Sequence, residues 1–259
     1  MLTLGHLTPP QTGWLPGTAT IAQAVALLRE RGLSSLVVVD DSAVQGIVTE
    51  RDILHALRRH QPPEGPVSAL MTTPVLTVPA DQDYRSAYQL ALRHGVRHLV
   101  VMDAAGQLLG TVSESDIRRH LGQDFFSNLS SVAGLMQTKF PALAPDARLE
   151  EAFAAMDDSR SGCVVVVDAG RPAGILTERD VVRLFLEDCG NTPVAAVMTR
   201  PVRTIDCRTT LAAAARTMLS AAIRHLVVVD AQGCGIGLLN EHDLLRPLEL
   251  DLLQTALGE

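Results

Sequence analysis

Four short segments of the chain place an aspartate three residues after a hydroxyl or amide side chain. These pairs are Thr49 with Asp52, Ser113 with Asp116, Thr177 with Asp180, and Asn240 with Asp243. A short apolar run precedes each pair, and helix-like apolar spacing follows the better preserved ones. The pairs are therefore expected where a strand ends and a helix begins.

At such a junction, a threonine and an aspartate can do two different things. They can form a capping box, in which each side chain pairs with backbone near the first helical turn. They can also bind a ligand, because the helix N-terminus attracts phosphate and an ionised aspartate accepts hydrogen bonds from ribose hydroxyls. Both roles can coexist at one junction, and both remain open at this point.

The four copies are not equivalent. The first and third add an arginine, Arg51 or Arg179, that could contact a phosphate. The fourth copy departs from the others, because an amide replaces the hydroxyl at Asn240 and His242 stands in place of the arginine. The case for a ligand site is therefore weakest in the fourth copy.

A second polar pattern alternates with the first. Arg97 and His98 precede one Val-rich run, and Arg224 and His225 precede another. These basic residues can simply be solvated at the start of a strand. Alternatively, because each half of the chain has one arginine-bearing Thr-x-x-Asp segment and one Arg-His pair, the two can complete a composite anion site.

Internal repetition sets the organisation of the chain. The segment at 46–53 recurs at 174–181, and the segment at 96–103 recurs at 223–230, an offset of about 127 residues. Each half repeats again more weakly, which gives four units of roughly 60 residues. Breaker-rich seams at 61–66, 122–131 and 189–193 separate them.

One unit alternates helical and extended patterns. Ile21, Val25 and Leu28 predict an amphipathic helix that Gly32 ends. A strand at 36–39, a polar turn at 40–45, a strand at 46–48 and a helix at 51–59 follow, and a short extended piece such as 75–79 comes first. So small a unit is marginal alone, and pairing two sheets face to face is the expected way to complete a core.

This pattern resembles the CBS domain, whose pairs are called Bateman modules. The strand-to-helix segments, the Met-Thr-x-Pro-Val segments at 71–75 and 198–202, and the Arg-His strands carry the resemblance. It implies an α/β (α+β) fold of four CBS β-α-β-β-α units paired into two Bateman modules. The predicted boundaries are 1–62, 66–122, 130–189 and 192–250, with a C-terminal helical tail at 251–259.

The resemblance also implies a regulatory function without catalysis. The expected ligand is AMP, ADP, ATP or a related adenosyl compound, bound in clefts between paired domains and coupled to an output domain or partner protein. No cofactor is expected. The predicted site comprises Thr49, Arg51, Asp52, Arg97, His98, Ser113, Asp116, Thr177, Arg179, Asp180, Arg224, His225, Asn240 and Asp243. The alternative is a degenerate scaffold that acts in dimerisation or protein-protein interaction without ligand.

Composition limits the classes of partner that the chain is expected to bind. The net charge of −7 argues against nucleic-acid binding and against a polybasic membrane patch. The four cysteines form no C-x-x-C pair, and Cys163 at the start of a valine run is expected to act as a small core hydrophobe. No apolar run approaches the length of a membrane span. A cytoplasmic protein is therefore expected. A homodimer is a separate expectation that composition does not test.

Overall fold

The computed structural model describes residues 3–9, 13–120, 131–159, 161–187 and 191–244. Two compact units are formed. The first contains the described residues within 1–117 and 178–188, and the second contains the described residues within 118–177 and 189–259. Most of the seam predicted at 122–131, Cys189 and the helical tail predicted at 251–259 lie outside the described residues. Within the described ranges, no helix combines the length and apolarity that crossing a membrane requires.

The first two repeats each build a small three-stranded sheet, in which the central strand has a parallel neighbour on one side and an antiparallel neighbour on the other. Their elements are α1 (Leu4–Leu7), β1 (Trp14–Leu15), α2 (Ile21–Arg31), β2 (Ser35–Asp40), β3 (Ala43–Thr49), α3 (Glu50–Arg58), the 3₁₀ turn Val67–Ala69, β4 (Thr77–Pro79), α4 (Tyr84–His94), β5 (His98–Met102), β6 (Leu108–Ser113) and α5 (Glu114–His120).

The last two repeats build sheets of the same topology. Their elements are the 3₁₀ turn Val132–Gly134, β7 (Ala142–Leu143), α6 (Leu149–Ser159), β8 (Cys163–Asp168), β9 (Arg171–Thr177), α7 (Glu178–Leu184), α8 (Val194–Val197), β10 (Thr204–Asp206), α9 (Leu211–Ala221), β11 (His225–Val229) and β12 (Gly235–Asn240). Residues 241–244 are helical, where the described part of this repeat ends. The expected α/β fold of four repeated units is confirmed.

Local chemistry explains the ends of helix α2. Thr20 and Gln23 form a capping box, with Thr20 N donating to Gln23 Oε1 over 2.8 Å and Gln23 N donating to Thr20 Oγ1 over 3.2 Å. The helix ends at Gly32, whose φ of 63° lies in the left-handed region that glycine adopts without a steric penalty. The predicted glycine stop is confirmed.

The turn between β2 and β3 is shorter than the predicted polar turn at 40–45. Only Asp41 and Ser42 lie outside the two strands, and both have positive φ, 48° and 63°. Two left-handed residues in succession match the type I′ turn that suits the twist of a hairpin. Residues 43–45 therefore extend β3 instead of widening the loop.

Within each unit, the sheets meet through valine-rich faces. In the first unit, Val37 and Ile47 of one sheet form a buried cluster with Val100 of the other. In the second unit, Cys163 is fully buried and belongs to the cluster that joins its sheet to Val227 of the next. The face-to-face pairing and the core role of Cys163 were both expected, and both are found.

Helix α7 packs in the first unit, although a simple division of the chain into halves would assign it to the second. It contacts α2 and α3, and its Val182, together with Phe185 just after the helix, joins the core that α2 builds around Leu28. Burying this apolar face stabilises the unit by removing hydrocarbon from water. The first unit therefore contains the charged residues that begin α7.

Candidate CBS ligand site

The junction between β3 and α3 carries the first predicted pair. Thr49 donates to Asp52 Oδ2 twice, from its backbone N and from Oγ1, both over 2.7 Å. The N-H of Asp52 bonds in turn to the threonine side chain, which completes a capping box. The capping interpretation of this pair is confirmed. Both bonds from Thr49 end on one oxygen, and no described residue donates to Oδ1 of Asp52.

Burial is the largest influence on Asp52. It raises the pKa of this carboxyl above its ordinary value of 3.8, against the two hydrogen bonds from Thr49 and the nearby His55, which lower it. The negative charge of Glu178 adds to the rise. Asp52 is thus a partly desolvated acceptor whose charge is more costly than that of a surface carboxylate.

The second predicted pair repeats this geometry. Ser113 donates to Asp116 Oδ2 from its backbone N over 2.9 Å and from Oγ over 2.6 Å. The N-H of Asp116 lies 3.4 Å from Ser113 Oγ. Serine therefore replaces threonine at the junction without changing the hydrogen-bond pattern.

The third pair is built from Thr177, the last residue of β9, and Asp180 on α7. Thr177 is half-buried and Asp180 is buried. Arg183, one turn further along α7, places Nη2 3.2 Å from Asp180 Oδ1. The adjacent Arg179 lies with Nε 3.5 Å from Glu50 Oε1 and is largely exposed.

The fourth pair differs from the others in its donors. Asn240 donates only its backbone N to Asp243 Oδ2, over 3.0 Å. Gln137 also contacts this carboxylate, with Nε2 3.2 Å from each oxygen of Asp243. Asp243 is fully buried, and the buried side-chain oxygen of Asn240 has no hydrogen-bond partner among the described residues.

The Arg-His pairs lie at the start of β5 and of β11. His98 Nε2 is 3.1 Å from Ser34 Oγ, which belongs to the paired repeat. In the second unit, His225 Nε2 is 3.3 Å from the carbonyl oxygen of Ser161. Each of these histidines therefore reaches the neighbouring repeat, as a composite site requires.

Four buried glutamates were not predicted as site residues. Glu50, Glu114, Glu178 and Glu241 each follow the hydroxyl or amide residue of the four segments. Their identity in every copy is the sequence signal that could have revealed them, because a buried carboxylate needs a partner.

Glu178 forms ion pairs with one arginine from each repeat of the first unit. Its Oε1 accepts from Arg51 Nε over 2.9 Å, and its Oε2 accepts from Arg97 Nη2 over 3.4 Å. In the second unit, Arg224 Nε lies 3.9 Å from Glu241 Oε2. The structure thus brings together Arg51 and Arg97, two of the cations that the sequence assigned to a phosphate, but they meet at a carboxylate.

Other features of the first unit lie apart from these residues. Trp14, the first residue of β1, is 58% exposed and lies outside the core. A surface groove of about 500 Å³ is lined by apolar residues such as Leu15 and Leu27 together with Gln23 and Glu30. None of the predicted site residues lines this groove.

The family assignment follows from a comparison with known families. The model of the CBS domain matches residues 10–59, 67–123, 132–187 and 194–249, most of the chain. The chain belongs to the CBS-domain family. Its four CBS domains in tandem form two Bateman modules, as predicted.

Two curated relatives are similar over parts of their length. An uncharacterized 17.7 kDa protein of Acidianus ambivalens is 40% identical over 103 residues, which are 39% of this chain and 62% of the relative. Protein MJ1404 of Methanocaldococcus jannaschii is 26% identical over 198 residues, which are 75% of this chain and 46% of the relative. The chain thus spans about half to three fifths of the curated relatives that it matches.

A solved structure has a similar fold. The crystal structure of protein MJ1225 from Methanocaldococcus jannaschii is similar with a TM-score of 0.83 and 23% identity, and the match covers 95% of this chain and 99% of that one. At this level of identity, the similarity shows the fold.

Proposed function

We propose that this chain is a regulatory sensor that binds adenine nucleotides (AMP, ADP or ATP) or a related adenosyl ligand between paired CBS domains. Binding would change the conformation that the chain presents to an output domain or partner protein. The observation that carries the proposal is the convergence of Arg51 and Arg97 on the carboxylate of Glu178. Two guanidinium ions that bind one anion between them can also bind another.

The phosphate would bind at these two arginines. Guanidinium groups match phosphate oxygens in charge and in planar geometry, and they form strong charge-assisted hydrogen bonds. Helix α3 begins at Glu50, next to Arg51, so its N-terminal dipole adds a favourable potential for an anion. Glu178 occupies both arginines in this structure, and an incoming phosphate would compete with it.

The ribose would bind at Asp52. Its Oδ2 accepts both bonds from Thr49, while its Oδ1 accepts none from the described residues. An ionised carboxylate with one oxygen available can accept a hydrogen bond from a ribose hydroxyl. The cap and the ligand would thus share one side chain, each using a different oxygen.

The paired repeat would contribute His98. Its side chain reaches Ser34, the residue before β2 in the first repeat. A ligand bound between the two repeats would contact residues of both, so its binding energy would favour one relative arrangement of the pair. Differential affinity of this kind is what a conformational signal requires.

No reaction is proposed for this chain. Its recognised content is four domains of a regulatory family, and its polar residues are arranged to hold an anion and a diol. The alternative function is a scaffold that acts in dimerisation or protein-protein interaction without ligand. The hydroxyl, arginine and aspartate that accompany each other in the first and third copies favour a sensor, because packing alone does not require this combination.

Titration calorimetry of the full chain with AMP tests the proposal. Asp52→Ala is expected to weaken AMP binding by roughly 10- to 100-fold, because a charged hydrogen-bond partner contributes about 1.5–3 kcal/mol. Asp83→Ala is the matched control. Asp83 caps α4 by accepting from Ser86 N over 3.0 Å, so its loss should lower stability without changing affinity.

Two results would contradict the sensor. Asp52→Ala could behave like Asp83→Ala, lowering the melting temperature and leaving AMP affinity unchanged. Alternatively, AMP, ADP, ATP and S-adenosylmethionine at millimolar concentration could all fail to bind or to shift the melting temperature. The second result would favour the scaffold.

A further inference from the structure

Gln137 holds the position in the third repeat that a threonine holds in the second and fourth. Thr72 pairs with Ile47 of β3 in an antiparallel bridge, Thr199 pairs with Ile175 of β9, and Gln137 pairs with Leu238 of β12. In the last bridge, Gln137 N donates to Leu238 O over 2.8 Å, and Leu238 N donates to Gln137 O over 2.9 Å. The register places these three side chains at equivalent points beside the adjoining repeat.

The longer side chain of Gln137 reaches the aspartate of that repeat. Its Nε2 lies 3.2 Å from both Oδ1 and Oδ2 of Asp243, and Asn240 N adds a bond to Oδ2 over 3.0 Å. Both oxygens of a fully buried carboxylate are therefore engaged by protein donors. A ribose hydroxyl would have to displace the glutamine before it could bind there.

The first repeat shows what a threonine at this position allows. Thr72 bridges Ile47 in the same way as Gln137 bridges Leu238, but Asp52 accepts only from Thr49. Asp52 is also partly exposed, whereas Asp243 is not. Of these two aspartates, the one beside a threonine keeps an oxygen without a donor among the described residues, and the one beside a glutamine has both oxygens engaged.

Asn240 adds a second obstacle in the same repeat. It stands where Thr49 and Ser113 present hydroxyl donors, and its buried Oδ1 has no partner in the described part of the chain. This acceptor oxygen cannot donate to the aspartate as the hydroxyls of Thr49 and Ser113 do. The fourth copy therefore lacks the hydroxyl that accompanies the aspartate in the first two copies.

We propose that Gln137 closes the fourth CBS domain to nucleotides by occupying the carboxylate of Asp243, so that the two Bateman modules bind unequal numbers of ligands. This inference rests on the proposed function of the other copies, but it concerns the residues that exclude a ligand. Gln137 therefore helps to determine which of the clefts between paired domains can bind a nucleotide.

Calorimetry with AMP on the double variant Gln137→Thr, Asn240→Thr tests this inference. Both changes copy the residues of the first module, Thr72 and Thr49. The variant is expected to bind one more molar equivalent of AMP per chain than the unmodified protein. Circular dichroism would check its fold, and Gln137→Thr alone would be measured in the same way if the double variant does not fold.

The outcomes separate the inference from the proposed function. If the unmodified chain binds AMP, Asp243→Asn should change neither its stoichiometry nor its affinity, and a loss of binding would overturn the inference. If the unmodified chain binds no AMP, the proposed function fails, yet the added equivalent in the variant would still support closure by Gln137. A folded variant without the added equivalent overturns it in either case.

Discussion

Arg51 donates from Nε to Oε1 of Glu178 over 2.9 Å, and the side chain of Glu178 is only 7% exposed. Arg97 approaches the other oxygen of the same carboxylate. A buried glutamate thereby neutralises two cations that a phosphate would use. A phosphate that bound as proposed would compete with Glu178, the first residue of α7, for the same guanidinium groups.

Removing the charge of Glu178 should strengthen nucleotide binding. In Glu178→Gln, the neutral amide no longer competes as an anion for Arg51 and Arg97, so AMP is expected to bind about tenfold more tightly, or about 1.4 kcal/mol. Adenosine has no phosphate and serves as the control ligand, with affinity expected to change less than about twofold. Equal changes for AMP and adenosine in calorimetry would contradict competition at the phosphate.

Stability should respond to pH through Asp52. Because burial raises the pKa of Asp52 above 3.8 in the folded chain, its contribution to stability is most favourable below 3.8 and is lost as the pH rises through the folded-state value. Asp52→Asn cannot ionise and retains an acceptor oxygen for Thr49. Urea unfolding from about pH 3 to pH 7 should therefore show the unmodified chain losing stability relative to this variant.

Asp206 is a control for Asp52, because its pKa is shifted in the opposite direction. Hydrogen bonds from Arg208 lower the pKa of this exposed carboxyl to about 2. Its contribution to stability is therefore present above the ordinary value of 3.8 and is lost as the pH falls toward about 2. Acidification should therefore raise the stability of Asp206→Asn relative to that of the unmodified chain. Parallel pH profiles for the two variants would show that neither carboxyl behaves as the structure indicates.

The features that could be predicted from the sequence depend on neighbouring residues. Thr49 and Asp52 are three residues apart, so their capping geometry follows from the strand-to-helix pattern. The glycine stop of α2 is equally local. The pairing of sheets could also be predicted, because valine-rich strands in so small a unit must be covered by another apolar surface.

The features that were missed depend on residues far apart in the chain. Arg51 and Glu178 are separated by 127 positions, and Gln137 and Asp243 by 106. Repetition indicated which positions are equivalent and which repeats pair, but not that Glu178 of the third repeat would contact Arg51 of the first. The packing of α7 in the first unit was missed for the same reason, because its apolar face does not specify the surface that covers it.

The C-terminal end of α9 offers a direct test of backbone strain. Ala222 has a φ of 51°, in the left-handed region where Gly32 and Gly95 end the corresponding helices α2 and α4. A Cβ in this conformation is unfavourable by roughly 1–2 kcal/mol. Ala222→Gly is expected to stabilise the chain by up to about 1 kcal/mol, since the added freedom of the unfolded glycine offsets part of the gain.

The neighbouring residue, Ala221, provides a control for the change from alanine to glycine itself. Ala221 is the last residue of α9, and Ala221→Gly should destabilise the chain by roughly 0.5–1 kcal/mol, because glycine is unfavourable in a helix. Urea unfolding of both variants would separate the effects. Destabilisation by Ala222→Gly of the same size as by Ala221→Gly would show that the left-handed conformation carries no strain.

Close packing between Gly46 and Met71 yields the final prediction. A Cβ on Gly46 would lie 2.6 Å from Met71 Sδ and 2.9 Å from Met71 Cβ, so Gly46→Ala forces the methionine or the strand to move. We expect this substitution to destabilise the chain by about 1–3 kcal/mol, the usual cost of overpacking. Met71→Ala removes the obstacle but creates its own loss of packing.

A double-mutant cycle distinguishes a steric cause from a general weakness of β3. If the methionine is the obstacle, Gly46→Ala should cost less in the Met71→Ala background, with a coupling of about 0.5–3 kcal/mol. The contact matters beyond β3 because Met71 precedes Thr72, which bridges Ile47 beside the candidate ligand site. Urea unfolding of the four proteins gives the coupling directly. Additive losses would show that Gly46 is required for the strand itself and not for the approach of Met71.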